Sequence, residues 1–376
     1  MYERLIAVRR SLTEAPADEI VERLGEALTK AYGITGTDLL QVDYRIAALL
    51  PLSGDDAVTT PGDPGWRSFD HQAEVLHDGV LHLPVTMRGD RIGVLRLQPV
   101  PDDPQLRGEL AEIATLLGHE LAAVRASTDR YTVAARTRRL TLAAEMQWEL
   151  LPGRSRCRSS FSLAGQLEPA YAVRGDSFDW ADDGHRLWLA TVNGMGDGVT
   201  AATLTALAIQ ALRNARRAGL SLADQATLAD QAVYSHHRGV QHLETLLLEL
   251  DLATGRVLAV DAGSPRILLL REGEVVEQRL DAQFPLGMFD GTIYHTQNFD
   301  LAVGDRLFIV SDGIFDAAAT NLRYGESALE RFVRRTRPLA PLEAVRSLLG
   351  DLRAFVAGDL VDDAVAVCLD WTGPAH

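Results

Sequence analysis

The spacing of apolar residues predicts a small mixed domain in the first part of the chain. Residues 17–31 carry apolar positions at helical spacing, and residues 38–45 alternate between apolar and polar side chains as a strand does. Residues 81–98 alternate on both sides of an Arg-Gly-Asp turn, which predicts a hairpin. Residues 53–65 are rich in glycine, proline and aspartate, which is typical of a loop. We therefore predict an α/β domain over residues 1–104.

The next part of the chain has helical periodicity. From Leu106, apolar residues follow three-four spacing as far as Val124. The pattern resumes at Leu140, and Pro152 ends it. We expect residues 105–152 to form a helical linker, for which two interpretations stay open. It is either a dimer-forming helix that carries a signal between domains, or a set of helices that each pack on their own domain.

Short strands dominate the last part of the chain. From Phe161 onward, apolar runs of strand length are bounded by turn residues. Helical patterns interrupt them at residues 199–218, near residues 221–236 and near residues 342–356. Many antiparallel strands with a few covering helices favour an α+β sandwich over residues 153–376.

Composition and charge narrow the classes of partner. The 376 residues suffice for two or three domains, and 47% of them are apolar, enough to build cores. The net charge of −15 argues against nucleic acid as a partner, because phosphate backbones attract basic surfaces. An acidic balance suits a protein that binds cations, although solubility explains it equally well.

Two further features bear on location. No stretch of 18 apolar residues occurs, so we expect no membrane span, and residues 1–10 lack the apolar core of a signal peptide. The two cysteines, Cys157 and Cys368, form no paired framework and no zinc spacing. We therefore expect a cytoplasmic protein.

Acidic residues recur where the predicted strands begin or end. Asp176 precedes a strand, Asn193 and Gly194 follow that strand, Asp312 follows another and Asp362 precedes the last one. If these strand ends converge, the carboxylates form a cluster that stays ionised only with cations present. Magnesium and manganese prefer such oxygen ligands. Each of these residues alone is common in turns and does not indicate a metal site. Only their order and spacing along the chain, taken together, favour one.

The turn at residues 191–202 contains three glycines at alternate positions, Gly194, Gly196 and Gly198. No Lys-Ser or Lys-Thr pair follows them, so the turn is not a P-loop. Glycines here allow positive backbone angles and a close approach at a metal-binding corner. The helix predicted to begin near Val199 directs its positive end to the same place, which favours phosphate.

The ordered motifs of residues 140–371 resemble the bacterial SpoIIE-like branch of the metal-dependent protein phosphatases, the PPM or protein phosphatase 2C superfamily. The motifs that carry the resemblance are residues 147–152, 174–179, 193–202, 261–266, 285–287, 304–305, 311–313 and 362–363. The resemblance implies a four-layer α-β-β-α sandwich of two antiparallel sheets. The first hundred residues resemble, more weakly, a GAF-like sensory domain, chiefly in the predicted hairpin.

The resemblance also implies a chemistry, the hydrolysis of phosphoserine or phosphothreonine on a protein. Two divalent ions, Mn²⁺ or Mg²⁺, would be held by Asp176, the residue at position 193, the Gly194 carbonyl, Asp312 and Asp362. A hydroxide bridging the two ions would attack phosphorus while the ions neutralise the developing charge.

The resemblance further implies partners. The substrate in this branch is often a phosphorylated anti-sigma-factor antagonist, and a helical linker often joins the phosphatase to a sensory domain. We accordingly expect a phosphorylated regulatory protein as substrate, an unidentified ligand for the sensory domain, and a homodimer.

The chain departs from the family pattern at the metal-binding corner. Asn193 stands where the family has an aspartate that touches both ions. At ~4 Å and an effective dielectric constant near 20, the missing charge–charge contact is worth roughly 4 kcal/mol. This corresponds to roughly a thousandfold in metal affinity. We therefore keep two hypotheses: a phosphatase impaired by Asn193, and a pseudophosphatase that acts as a binding or signalling module.

Other departures concern phosphate binding. Arg174 replaces the first glycine of a Gly-Gly-Asp motif, and it is either a phosphate ligand, a substitute cation or a surface arginine. Gly198 is the second candidate for substrate binding. Asp197 is either a replacement carboxylate or a solvated turn residue. Ser264 and Asp261 replace the family's histidine and asparagine.

Overall fold

The computed structural model describes residues 2–60, 62–137, 139–169, 173–263, 265–319, 322–358 and 360–374. The chain divides into two compact units, Met1–Arg139 and Leu140–His376.

The first unit is a five-stranded antiparallel sheet with helices. Its strands are β1 (Gly36–Val42), β2 (Leu49–Pro51), β3 (Val75–His77), β4 (Val80–Met87) and β5 (Asp90–Gln98). Its helices are α1 (Tyr2–Thr13), α2 (Ile20–Tyr32), α3 (Pro64–His71), α4 (Pro104–Val124) and α5 (Arg130–Ala134). The strands lie in the order β2-β1-β5-β4-β3.

The predicted hairpin over residues 81–98 is confirmed. Met87 of β4 pairs with Asp90 of β5. The two residues between them, Arg88 and Gly89, both have positive φ values, 51° and 92°. Such a turn matches the twist of the strands that it joins.

Helix α4 places its apolar face in the core of the first unit. Leu110, Ile113 and Leu117 are buried in one cluster with residues of α2 and of the sheet. Helix α4 therefore packs on its own domain, which is the second of the two interpretations of the linker. The boundaries of the linker and its role in a dimer stay predictions.

The second unit contains two larger antiparallel sheets. Its main strands are β6 (Ser155–Cys157), β7 (Phe161–Glu168), β8 (Ser177–Asp182), β9 (Arg186–Gly194), β10 (Leu243–Asp251), β11 (Arg256–Ala262), β12 (Arg266–Arg271), β13 (Glu274–Gln278), β14 (Gln297–Asp300), β15 (Arg306–Val310) and β18 (Ala364–Trp371). A short separate pair, β16 (Ala318–Ala319) and β17 (Leu322–Arg323), lies between β15 and β18 in the chain. One sheet has the order β14-β11-β10-β9-β8, and the other has the order β13-β12-β15-β18-β7-β6.

Helices cover the outer face of each sheet. They are α6 (Leu142–Leu150), α7 (Gly198–Arg217), α8 (Leu222–His237), α9 (Asp312–Phe315), α10 (Tyr324–Ser327), α11 (Leu329–Arg335) and α12 (Pro341–Val356). Residues of α7 and α8 share a core with Val192 and Leu243 of the first sheet. Residues of α11 and α12 share a core with Phe308 of the second sheet.

The inner faces of the two sheets pack against each other. A Cβ atom at Gly165 of β7 would lie 2.7 Å from the Trp180 ring and 2.8 Å from the Phe178 ring of β8. The glycine therefore makes room for two aromatic rings from the opposite sheet. The predicted four-layer α-β-β-α sandwich of antiparallel sheets is confirmed.

Within the described parts of the chain, no helix combines the length and the apolar character that crossing a membrane requires.

Candidate active site

The rim of the first sheet carries a row of polar residues on its inner face. Phe178 of β8, whose ring faces the opposite sheet, pairs with Thr191 of β9. Side chains alternate between faces along a strand, so Asn193, two residues further on, projects from this inner face as well. Asp176 lies two residues before Phe178 and belongs to the same face. Glu244 of β10 pairs directly with Asn193 and extends the row.

The second sheet brings its own acidic residues to the same end of the sandwich. Asp312 begins α9, two residues after β15 ends. Asp362 and Asp363 immediately precede β18, the neighbour of β15. The charges of these carboxylates act on one another and on Asp176, so the two rims meet.

Asp176 is fully buried and has an unsatisfied carboxylate. Its exposed fraction is 0%, and neither of its side-chain oxygens accepts a hydrogen bond from the described residues. Burial, and then the negative charges of Asp363 and Asp312, raise the pKa of this carboxyl well above its ordinary value. The Ser311 hydroxyl offsets part of the rise, although it does not complete a hydrogen bond to Asp176.

One carboxylate oxygen of Asp312 accepts two hydrogen bonds. The Asn193 amide donates from Nδ2 to Oδ1 over 2.8 Å, and the Gly313 N–H donates to the same oxygen over 2.9 Å. Burial is the main cause that raises the pKa of Asp312 to about 6, and the charges of Asp362 and Glu244 add to it. The two hydrogen bonds oppose this rise because they favour the ionised carboxylate.

Asp362 lies between a negative and a positive neighbour. Burial and the charge of Asp363 raise the pKa of Asp362, and the Asp363 N–H, which donates to it over 2.9 Å, opposes the rise. The charge of Arg174 also lowers this pKa, although Arg174 itself is exposed. Arg174, one of the two residues that the sequence suggests for substrate binding, therefore lies at the edge of the acidic cluster.

The sequence reasoning missed the role of Asp363. Its Oδ2 accepts hydrogen bonds from Gln147 Nε2 at 2.8 Å, from the Arg174 N–H at 2.8 Å and from the Gly175 N–H at 3.0 Å. Gln147 Nε2 also donates to the Asp176 carbonyl at 3.0 Å. Asp363 thus ties α6 and the segment before β8 to the start of β18. The only signal in the sequence was the Asp-Asp pair itself.

Glycines let the backbones of this corner approach closely. Gly175 has a φ of 96°, and a Cβ atom there would lie 3.0 Å from both the Ala201 Cβ and the Gly194 carbonyl oxygen. At Gly194, a Cβ atom would lie 2.6 Å from the Thr205 hydroxyl, which donates to the Gly175 carbonyl. The Gly194 carbonyl that the family resemblance assigns to a metal thus lies beside Gly175, the residue before Asp176.

The glycine turn gives less support for phosphate binding. Gly198 has a φ of 58° and begins α7, and its N–H donates to the Val173 carbonyl over 2.8 Å. That N–H is therefore engaged within the protein. The side chain of Asp197 is exposed, as expected for a solvated turn residue. Ser264 lies outside the described residues.

The structure brings the predicted ligands Asp176, Asn193, Asp312 and Asp362 to one end of the sandwich. As they stand, no three His, Cys, Asp or Glu side chains within the described ranges are placed to hold a metal ion. The unpartnered carboxylate of Asp176 and the mutual repulsion of the carboxylates nevertheless fit a divalent cation.

Comparison with known proteins assigns the chain to a family. The family model of Stage II sporulation protein E (SpoIIE) matches residues 183–372. The chain belongs to the SpoIIE family of PP2C-type phosphatases. No curated protein sequence matches the chain.

Two solved structures share the fold of this SpoIIE-family chain. The RsbU and RsbW domains of Rv1364c from Mycobacterium tuberculosis are 21% identical, with a TM-score of 0.52 over 58% of this chain and 63% of that one. A SpoIIE structure from Bacillus subtilis, with the PP2C phosphatase domain and a fragment of the regulatory domain, is 19% identical, with a TM-score of 0.51 over 58% of this chain and 64% of that one. The matched part spans a little under two thirds of each structure.

Proposed function

We propose that this chain is a metal-dependent protein-serine/threonine phosphatase whose affinity for metal is weakened at position 193. The observation that carries the proposal is the buried, unpartnered carboxylate of Asp176 at a rim that it shares with Asp312 and Asp362. Membership of the SpoIIE family supports the class of reaction.

The residues that would hold Mn²⁺ or Mg²⁺ are the carboxylates of Asp176, Asp312 and Asp362, the Gly194 carbonyl and the amide oxygen of Asn193. A bound divalent ion would activate water and neutralise negative charge on the phosphoryl group. The protein's part is to bury and orient the carboxylates. Asp363 contributes through its hydrogen bonds to Gln147 and to the backbone before Asp176.

Asn193 sets the strength of this site. Its side chain now donates a hydrogen bond to Asp312, whereas an aspartate would bring a negative charge to the same position. An amide oxygen is a neutral ligand, so fewer charges would be available to hold the ions. The proposed enzyme therefore requires more Mn²⁺ than one with a complete set of carboxylates.

We further propose that the substrate is a phosphorylated regulatory protein, such as an anti-sigma-factor antagonist. Exposed Arg174 beside Asp362 is the candidate for contacting its phosphoryl group, because a guanidinium binds phosphate with two parallel hydrogen bonds. Gly198, at the start of α7, is the second candidate. Residues 1–104 would act as a GAF-like sensory domain for an unidentified ligand, and residues 105–152 as a linker within a homodimer.

A second candidate function is that of a pseudophosphatase, a binding or signalling module that keeps the fold without the reaction. The hydrogen bond between Asn193 and Asp312 favours it, because an amide donor satisfies Asp312 without a cation.

One experiment separates the two functions. Mn²⁺ binding is measured by calorimetry and phosphopeptide hydrolysis by phosphate release, for the wild type, Asn193→Asp and Asp312→Ala. Wild-type hydrolysis that Asp312→Ala abolishes would support the enzyme. Hydrolysis that only Asn193→Asp acquires would support the pseudophosphatase, and no Mn²⁺ binding by the folded wild type would contradict the enzyme.

A further inference from the structure

Glu244 has a fixed place beside Asn193. The two residues are directly paired in the β9–β10 ladder. Opposite residues of an antiparallel pair share a face, with Cβ atoms about 4.5–5.5 Å apart. Because Asn193 projects from the inner face and contacts Asp312, Glu244 projects towards the same space. It lies on the side of Asn193 away from Asp176, since β8 and β10 flank β9.

The neighbouring strand leaves room for this glutamate. Ala262, the last residue of β11, pairs with Thr245 of β10, so Gly263 lies next to Glu244. A Cβ atom at Gly263 would be 2.3 Å from the Glu244 Cβ. Any other residue at position 263 would therefore collide with the stem of Glu244. Gly263 therefore leaves the space that the Glu244 side chain occupies beside Asn193.

The carboxylate of Glu244 has a repulsive environment. It is partly buried, and within the described part of the chain no lysine, arginine or histidine forms an ion pair with it. Its charge instead raises the pKa of Asp312 and of Asp261. Negative charges gathered at a partly buried rim destabilise the metal-free fold, and a cation removes that repulsion.

The buried carboxylate of Asp176 is a separate observation that favours a cation in the same space. Asp176, at the other end of the row, is fully buried, and neither of its carboxylate oxygens has a hydrogen-bond partner among the described residues. Its carboxylate is within reach of the charge of Asp312, which Glu244 also faces. The need for a cation at this rim therefore does not depend on Glu244.

We propose that Glu244 supplies, across the β9–β10 ladder, part of the negative charge that position 193 lacks, and that it helps to hold the divalent cation there. This inference rests on the proposed function, because it concerns the same cation. Glu244 lies on β10, the strand next to the one that carries Asn193. The order of the motifs along the chain does not indicate this residue.

The test uses the full chain and Mn²⁺ as the probe. Calorimetry measures Mn²⁺ affinity for the wild type, Glu244→Gln and the double variant Asn193→Asp/Glu244→Gln. Glu277→Gln is the matched control, because Glu277 is also partly buried in a strand and its loss changes the net charge equally. Melting temperatures in EDTA and in Mn²⁺, with circular dichroism to confirm folding, give a readout that is independent of activity.

We expect Glu244→Gln to weaken Mn²⁺ binding at least about tenfold, because it removes one charge from the cation's surroundings. The double variant restores the number of carboxylates and should recover affinity. In EDTA, Glu244→Gln should melt at or above the wild-type temperature, since repulsion with Asp312 is relieved, and in Mn²⁺ it should gain less than the wild type. Glu277→Gln should behave as the wild type does in both conditions.

Wild-type Mn²⁺ binding with equal affinity in Glu244→Gln would overturn this inference and leave the proposed function intact. Failure of the double variant to regain affinity would also overturn it. Absence of Mn²⁺ binding by the folded wild type would overturn this inference together with the metal dependence of the proposed function.

Discussion

The side chains of Asn193 and Asp312, 119 residues apart in the chain, meet in a 2.8 Å hydrogen bond between Nδ2 and Oδ1. The bond joins the rim of one sheet to the rim of the other. It stabilises the ionised form of Asp312 in a place where burial and neighbouring carboxylates oppose ionisation. An amide here therefore tempers the repulsion that an aspartate would increase.

Replacing Asn193 with aspartate should have opposite effects with and without metal. In EDTA, the new carboxylate faces Asp312, and we expect the melting temperature to fall by about 2–4 °C for each kcal/mol of repulsion. With Mn²⁺, affinity should rise by between roughly tenfold and a thousandfold, since one more charge faces the ion.

Thermal melts with EDTA and with Mn²⁺ measure both effects. Asn298→Asp is the control, because Asn298 is exposed in edge strand β14 and the substitution adds the same charge. Equal responses of the two variants to Mn²⁺ would contradict the placement of Asn193 beside a cation.

Gln147 should contribute measurably to stability through its two hydrogen bonds. Gln147→Met keeps the length of the side chain and removes the donors to Asp363 Oδ2 and to the Asp176 carbonyl. Because a buried carboxylate loses one partner, we expect the free energy of unfolding to fall by about 1–3 kcal/mol. Denaturant titration measures it, and Gln210→Met, on an exposed face of α7, should stay within about 0.5 kcal/mol of the wild type. An unchanged midpoint for Gln147→Met would argue against this contact.

Gly175 should tolerate alanine poorly for two separable reasons. Its φ of 96° is unfavourable for a residue with a Cβ atom, and that atom would meet Ala201 and the Gly194 carbonyl at 3.0 Å. Gly184 has a similar φ, 91°, but its missing Cβ faces open space. Gly184→Ala should therefore show the backbone strain alone, about 1–3 kcal/mol.

Denaturant titration of both glycine variants isolates the effect of close packing. We expect Gly175→Ala to lose more stability than Gly184→Ala, and to lose Mn²⁺ affinity as well, since the backbone before Asp176 must shift. Equal losses of stability would show that the segments of Gly175 and Gly194 are less tightly packed than described.

Asp230 should make stability depend on pH. Its Oδ1 accepts from the Gly287 N–H at 2.8 Å and from the Tyr294 hydroxyl at 3.1 Å, whereas its buried Oδ2 has no partner among the described residues. Burial is the main cause that raises the pKa of Asp230. The folded state therefore keeps this proton to higher pH than the unfolded chain does. The resulting stabilisation is present in acid and is lost as the pH rises through the folded pKa.

Asp230→Asn tests this pH dependence, since an amide keeps the accepting oxygen and carries no charge. We expect the variant to be more stable than the wild type at pH 7, with the difference shrinking towards pH 4. Free energies of unfolding of the variant and of the wild type, measured between pH 4 and pH 7, test this prediction. Asp56→Asn, at an exposed loop position of the first unit, should show no such trend. A difference that grows towards acid would contradict the assigned direction.

Much of the fold followed from local patterns. The hairpin of β4 and β5 was visible because alternation and an Arg-Gly turn lie within one short stretch. The sandwich was expected because its strands are short, apolar and bounded by turns, and because the motif order resembles a known family. Helix α4 was harder to place, since the same apolar stripe suits a dimer seam and a domain core.

The site was predicted less completely, and the reason is spatial. Asp176, Asp312 and Asp362 could be predicted because each stands next to a strand end. Asp363 was missed because its three donors come from α6 and from the segment before β8, which lie between 188 and 216 residues away along the chain. Glu244 was missed because only the register of β9 and β10 places it opposite Asn193.

The central claim is that side chains from both sheets hold a divalent cation at one rim, and anomalous diffraction from crystals grown with Mn²⁺ tests it most directly. We predict an anomalous peak among the carboxylates of Asp176, Asp312 and Asp362. Well-ordered crystals that show no peak there, at Mn²⁺ concentrations that saturate binding in solution, would contradict the account.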